Sequence, residues 1–442
     1  MKKFLFPTLF ALLSLTLVMV LRSFLPKYSG MLMFFFFFLL FDGYLWFSVR
    51  GTIKKLGKGL ESSITILYWL PVALLPCLMI YGFFMPFLEW NLPFRTYLQN
   101  FLLILFLSEF FPIITIILAD LIRFGKYAFL FFIPGKKVPV KSIPRYKFLL
   151  LTGWIMGALI FLVMTAGTLF WQFDFTVRRQ VIILDQLPPA FEGLKIVQIS
   201  DIHLGSWNSK QKLQEAMDEI NNLHPDLIFF TGDMFNYCTA DGNGFEKILK
   251  TLHASDGIYA IMGNHDYGDY ITWSSPAAKK QNLEDLKSFY HYLGWKLLLN
   301  SHEILKRGED SIAVIGVDNW GATARFQRLG DIVKAQEGTE NMAIQLLLSH
   351  DPSYWGKVIS KKYQHIDVTF SGHTHGGQVG IDCCNIHWSP VVWISRFWSG
   401  LYTNSGSPTP QYLYVNQGLG NIGYSGRVGI LPEITLFTLK RK

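Results

Sequence analysis

The chain has 442 residues, a formal charge of +8 and an apolar fraction of 50%, with 38 phenylalanines. That length exceeds one ordinary core and sets an expectation of two or more domains. The apolar excess lies almost wholly before residue 175, which excludes a uniformly soluble protein and separates a membrane half from a soluble half. The positive charge does not specify nucleic acid. Lys54, Lys55, Lys58, Arg123, Lys126, Lys136, Lys137, Lys141, Arg145 and Lys147 sit in loops between apolar runs, where they read as topology signals. The four cysteines form no motif. Adjacent Cys383 and Cys384 are poorly placed to bond each other, and either a Cys238 disulfide to that pair or free thiols remain open.

Lys2 and Lys3 precede an apolar run from Phe4 to Leu21 with no small-x-small cleavage signal, so this run reads as an uncleaved anchor. Further runs cover roughly 31–49, 66–88, 99–121 and 148–171, each long enough for a helix to cross about 30 Å of hydrocarbon. Pro71, Pro76 and Pro112 kink such spans without excluding them. A cytoplasmic N-terminus places the basic loops 50–65 and 122–147 in the cytoplasm, while the opposite loops hold only Arg22, Lys27 and Arg95. With five spans, everything after Trp171 then lies on the extracytoplasmic side of the cell (inner) membrane. Four or six spans would reverse that side. Asp42 and Glu109 fall inside spans two and four, where a carboxyl is costly and marks an ion or proton site by default. No basic residue shares their depth, so we expect hydrogen-bonded acids that fix helix packing.

From this pattern the expected organisation is a transmembrane helical domain over 1–172, a linker with an edge strand over 173–190, and an α/β domain over 191–442. Arg179 to Leu184 supplies the edge strand. Leu194 to Ser200 is a strand, and Leu213, Met217, Ile220 and Leu223 keep helical spacing. Asp226 to Thr231 is a strand, Phe245 to His253 a helix, and Ile258 to Met262 a strand. A hairpin around Gly308 follows, then strands at 343–348, 366–370, 412–416 and 433–438. Strand–helix alternation giving way to strand-rich sequence predicts a layered α/β sandwich.

Five of these strand ends carry polar blocks: Asp201-Ile202-His203, Gly232-Asp233, Gly263-Asn264-His265-Asp266, His350-Asp351, and Gly372-His373-Thr374-His375. Asp, Asn and His offer oxygen and nitrogen ligands without a thiolate, which suits two hard-to-borderline divalent ions. Two such ions can hold a phosphate and stabilise an in-line displacement. Strand-end loops are where open sheets assemble sites of this kind. His224, His253, His291, His302 and His387 lack this context and read as structural or solvated.

The order and spacing of the five blocks resemble the calcineurin-like metallophosphoesterases across roughly residues 191–442. The run His373-Thr374-His375-Gly376-Gly377-Gln378, with Val415-Asn416-Gln417-Gly418-Leu419-Gly420 and Pro432-Glu433-Ile434-Thr435-Leu436, resembles a membrane-associated bacterial branch similar to the UDP-2,3-diacylglucosamine pyrophosphatases. The resemblance implies a four-layer αββα sandwich behind an all-α transmembrane domain of about five helices. It implies two divalent metal ions (Mn, Zn, Fe or Mg), with Asp201, His203 and His375 on one, Asn264, His350 and His373 on the other, and Asp233 bridging them. His265 would be the general acid and Asp266 would orient its ring. Asn236 stands where many relatives carry a second acid, at a position that is not normally a ligand.

These features imply a membrane-anchored phosphoesterase. Its partners would be the lipid membrane and a phosphorylated lipid or lipid-linked substrate. A receptor or transporter with a non-catalytic, metal-binding phosphoesterase-like domain is the alternative, but such a domain has no need of His265. A nuclease would want a basic, aromatic groove in the soluble half, where the basic residues are scattered. The lipid expectation rests on Trp388 to Trp398, an aromatic and aliphatic run with one cation, Arg396, beside the His-x-His block. Tryptophan is favourable at a membrane–water interface.

Overall fold

The structure is a computed structural model that describes residues 29–85, 89–133, 147–321, 328–404 and 409–442, together with Thr16, Met19 and Gly406. The chain divides into two compact units, Met1–Thr165 and Ala166–Lys442.

Four long apolar helices make up the described part of the membrane half: α1 (Ser29–Ile53), α2 (Lys58–Phe84), α3 (Leu92–Phe131) and α4 (Lys147–Leu169). All four are long and apolar enough to cross a membrane. They coincide with the last four expected spans, whereas the run 4–21 lies outside the described residues. Asn91 starts α3, its side chain accepting from the Phe94 amide at 3.3 Å, with Pro93 in the first turn where no donor is lost. Gly153 and Gly157 of α4 face α3. A Cβ on Gly157 would collide with the Ser108 carbonyl and Pro112, so the small-xxx-small spacing permits close backbone approach. Asp42 and Glu109 are buried beside each other, and the Tyr68 hydroxyl donates to the Asp42 carbonyl at 2.9 Å and reaches its carboxylate at 3.2 Å. This network ties α1, α2 and α3 together within the bundle, in line with a packing role.

The second unit contains two six-stranded sheets. The first has strand order β1-β14-β2-β3-β4-β5, made of β1 (Thr176–Leu184), β2 (Lys195–Ile199), β3 (Leu227–Phe230), β4 (Ile258–Ala260), β5 (Lys296–Leu297) and β14 (Glu433–Arg441). The second has order β12-β13-β9-β8-β7-β6, made of β6 (Ser301–Arg307), β7 (Asp310–Gly316), β8 (Gln345–Leu348), β9 (Val368–Ser371), β12 (Gly400–Asn404) and β13 (Gln411–Val415). A separate hairpin joins β10 (Ile381–Cys383) to β11 (Ile386–Trp388) through Cys384 and Asn385, both at positive φ as a tight two-residue turn requires.

Central strands read as unbroken apolar runs because both faces are covered. Ile196, Phe229 and Phe437 from the first sheet pack against Val314, Leu346 and Phe370 from the second, and the Phe229 and Phe370 rings lie 5.0 Å apart. On the outer face of the first sheet sit α5 (Lys210–Asn222), α6 (Glu246–Leu249) and α7 (Pro276–Leu293), contributing Leu213, Met217, Leu249 and Tyr290 to the core. Ile332, Ala335, Tyr354 and Ile359 cover the outer face of the second. The layers are therefore α/β/β/α, as expected. The helix expected over 245–253 is the short α6, and α7 had no counterpart in the sequence reading. Strands β2, β3 and β4 run parallel, as do β7, β8, β9 and β13, so the loops after β2, β3, β4, β8 and β9 all leave carboxyl ends of parallel strands.

Candidate metal centre

The loops leaving those strand ends bring two ligand groups together, Asp201 with His203 and His375, and Asp233 with His350 and His373. Within each group the ligand atoms lie within 4.8 Å of one another. His375 Nε2 is 3.2 Å from Asp201 Oδ1 and 3.1 Å from His203 Nε2. His350 Nε2 is 3.2 Å from Asp233 Oδ2 and 3.2 Å from His373 Nδ1. Asp233 stands between the groups. Its Oδ1 accepts from the His265 amide at 2.8 Å, while Oδ2 lies 3.2 Å from His350 and 3.6 Å from His203.

Local backbone geometry aims these side chains. Asp201, His203, Asp233, His373 and His375 all adopt left-handed φ, an uncommon conformation for residues with a Cβ and one that clusters at functional sites. A Cβ on Gly372 would overlap the Asp201 carboxylate, so the chain can pass there only as glycine. Remote ring nitrogens fix two of the histidines: His203 Nδ1 contacts the Phe235 carbonyl at 3.2 Å and His350 Nδ1 the Thr231 carbonyl at 2.8 Å. Both leave Nε2 turned inward, as ligating histidines need.

Charge is arranged to match. Burial opposes ionisation of Asp233, but the neighbouring His350 and His265 hold its carboxyl well below the usual carboxylate range. Burial pushes His203 well below the ordinary imidazole range, which keeps it neutral and free to ligate. His350 is buried too, yet the Asp233 carboxylate pushes it up to about 10, so a cation entering there must displace a proton. Two buried atoms beside these groups, Asn264 Oδ1 and His375 Nδ1, have no hydrogen-bond partner. An oxygen orphaned in a polar cluster is what a divalent cation would satisfy, and the oxygen and imidazole donor set fits one.

His265 borders both groups. Its ring meets the His203 ring edge to face at 4.9 Å, and its Nδ1 contacts the Asn236 carbonyl at 2.8 Å. Asp266 does not orient that ring. Its carboxylate turns away and accepts the amides of Asp233 (3.0 Å), Met234 (2.9 Å), Phe235 (3.3 Å) and Gly263 (2.8 Å). Burial and the neighbouring Asp233 charge push its carboxyl up to about 7, yet four converging N–H donors and no facing acceptor favour the carboxylate form, which braces the loops after β3 and β4.

One brace had no signal in the sequence. Arg427 is fully buried and donates to the carbonyls of His375 (3.2 Å), Gln417 (2.9 Å), Gly418 (3.1 Å) and Gly420, and to Asn421 Oδ1 at 3.0 Å. Nothing in Tyr424-Ser425-Gly426-Arg427 separates it from an ordinary turn arginine.

The aromatic run at 388–398 divides. Trp398 is only 7% exposed, stacks on His387 at 4.2 Å, and accepts from the Thr374 hydroxyl at 2.6 Å through its carbonyl. Phe397 packs on Trp355 and Tyr402. Both belong to the core, which corrects the expectation that the run is a single surface. Trp393 and Ile394 stand out at 77% and 89% exposure, with Ile381, Ile386 and Trp388 exposed nearby on the hairpin. The four cysteines are free thiols.

A four-layer α/β/β/α sandwich with paired Asp and His groups at its strand ends defines a metallophosphoesterase-type centre. Residues 194–377 match the family described as "Calcineurin-like phosphoesterase", and residues 22–170 match "Probable Calcineurin-like phosphoesterase, transmembrane domain". The chain thus joins a calcineurin-like phosphoesterase domain to a transmembrane phosphoesterase domain. It is 30% identical over 267 residues to a zebrafish (Danio rerio) "transmembrane protein with metallophosphoesterase domain", a match covering 58% of this chain and 56% of that protein. It is 28% identical over 266 residues to the uncharacterized metallophosphoesterase YkuE of Bacillus subtilis, covering 58% of this chain and 82% of the relative. Among solved structures it is similar to the Haemophilus influenzae NAD nucleotidase, with a TM-score of 0.35 and 16% identity over 52% of this chain and 51% of that one.

Proposed function

We propose that the protein is a membrane-anchored phosphoesterase with two divalent metals, hydrolysing a phosphomonoester, phosphodiester or pyrophosphate bond of a phosphorylated lipid or lipid-linked substrate. The observation that carries the dinuclear reading is the placement of Asp233 Oδ2 between His350 and His203, one oxygen within reach of both ligand groups. Asp201, His203 and His375 would hold one ion, Asn264, His350 and His373 the other, with Asp233 shared. A divalent pair supplies Lewis acidity toward the phosphoryl group. His265 protonates the leaving oxygen as the P–O bond breaks and recovers its proton from solvent, while the Asn236 carbonyl keeps the ring in place. With 4–21 as a fifth span, this domain works on the extracytoplasmic side.

Support for a lipid substrate comes from Trp393 and Ile394, exposed on a segment continuous with the metal-binding loop. Tryptophan and isoleucine beside a bilayer gain by entering its interface. The test compares the full chain, reconstituted in vesicles with manganese, with its W393S/I394S variant. Hydrolysis of soluble bis-nitrophenyl phosphate should be unchanged, while phosphate release from vesicle-embedded lipid extract should fall several-fold. Equal rates on the lipid extract would remove this argument for a lipid substrate.

A further inference from the structure

Tyr270 touches two residues of the centre at once. Its ring lies flat on the His265 imidazole, with centroids 3.9 Å apart and planes 4° from parallel. Its hydroxyl accepts from Asn264 Nδ2 at 2.8 Å. The Asn264 amide is buried, and its other end, Oδ1, has no hydrogen-bond partner. A carboxamide that gives its oxygen to a cation must put its NH2 on the opposite side, where it needs an acceptor. Tyr270 supplies one. The same side chain covers one face of His265, whose ring also lies edge to face with His203 and whose Nδ1 contacts the Asn236 carbonyl. An imidazole confined this way cannot rotate out of line, and Nε2 is left as its free nitrogen.

We propose that Tyr270 is a positioning residue that couples metal binding to proton transfer. Its hydroxyl sets the Asn264 amide with the oxygen presented as a ligand, and its ring holds His265 in the plane from which it reaches the leaving oxygen. This inference rests on the roles given above to Asn264 and His265. Partners of metal ligands outside the coordination sphere typically contribute about 10- to 100-fold in affinity.

The hydroxyl and the ring can be tested separately on the full chain in detergent, using Mn2+ alone as the binding probe. Y270F keeps the stack and loses the acceptor. Its affinity for one of two Mn2+ ions should fall about 10- to 100-fold in calorimetric titration. At saturating Mn2+, its ratio of nitrophenyl to phenyl ester turnover should match that of the parent protein. Y270L loses both features, and turnover of the phenyl ester, the poorer leaving group, should drop more than that of the nitrophenyl ester. N264A is the reference for a lost ligand. If Y270F binds both ions with parental affinity while N264A loses one, the role of the hydroxyl falls alone. If N264A also binds both as the parent does, the ligand assignment itself is wrong and the hydroxyl's role goes with it. Equal losses on the two esters for Y270L, or a rise in KM with kcat unchanged, would overturn the role of the ring.

Discussion

Replacing Arg427 with methionine tests how the ligand-bearing loops are held. Methionine fills much of the same volume but leaves the Gln417 and Gly420 carbonyls and the Asn421 side chain without their donor, while the His375 and Gly418 carbonyls keep only the amides of Gln378 and Glu433. Burial pulls the guanidinium down to about 9, so it remains charged at neutral pH. Hydrogen bonds to a charged group contribute about 1.5–3 kcal/mol each, and each orphaned acceptor costs about 1–3 kcal/mol. Against this, removing a buried charge regains several kcal/mol of desolvation, so the net loss should sit near the 3–5 kcal/mol typical of breaking a buried charged interaction. For a domain of this size 1 kcal/mol shifts the midpoint by about 2–4 °C, which gives a drop of about 6–20 °C. The assay is tryptophan fluorescence during heating of the full chain in detergent, paired with Mn2+ stoichiometry. Metal loss should be unequal. The Gly420 amide donates to the Asp201 carbonyl at 2.8 Å and Arg427 grips the His375 carbonyl, so the Asp201 group slackens first and one of the two ions should be retained. A midpoint within about 2 °C of the parent, or loss of both ions together, would refute the reasoning.

Asp266→Asn should act on the other group. Each Asp266 oxygen takes two amides, and an NH2 in place of one oxygen faces two donors, so stability should fall by about 2–4 kcal/mol and Mn2+ bound near Asp233 should be lost first. An unchanged midpoint and two retained ions would show that the carboxylate is not a brace. A reporter fused after Lys442 should behave as extracytoplasmic, and cytoplasmic labelling would mean that 4–21 does not span.

The candidate ligands were legible because every one follows a strand whose apolar run announces itself, and because histidine and aspartate at five strand ends form a pattern that packing alone does not produce. The four helices were legible from length and hydropathy. What stayed hidden depends on backbone partners. The resemblance implies that Asp266 orients the His265 ring, yet the fold offers it four amides from two loops. Arg427 binds carbonyls 7 to 52 residues away, and carbonyls leave no trace in residue identity. Trp398 and Trp393 are indistinguishable by type. The Thr374 hydroxyl, the Tyr402 hydroxyl and the His387 ring reach Trp398 from separate parts of the chain and make it core, whereas Trp393 is left exposed. Helix α7, with Lys279, Lys280, Glu284 and Asp285 on its solvent side, shows too narrow an apolar stripe to stand out between two strands.

Five residues at this centre hold left-handed backbones, and such conformations cost of order 1–3 kcal/mol each. The surrounding structure must over-determine them. It does so with two buried charges that grip backbone rather than each other. Asp266 collects amides around Asp233, and Arg427 supplies donors to the carbonyl of His375 and to the loop that follows β13. Each ligand group thus has its own brace, an anion for converging N–H groups and a cation for converging carbonyls. The two like-charged carboxylates of Asp201 and Asp233 are held close together by backbone geometry before any cation arrives. An apolar core could not do this, because packing fixes side chains and leaves strained peptide groups unsatisfied. The position of a buried aspartate or arginine that contacts only main chain is therefore the feature by which the rigid part of the centre can be told from the ligands it presents.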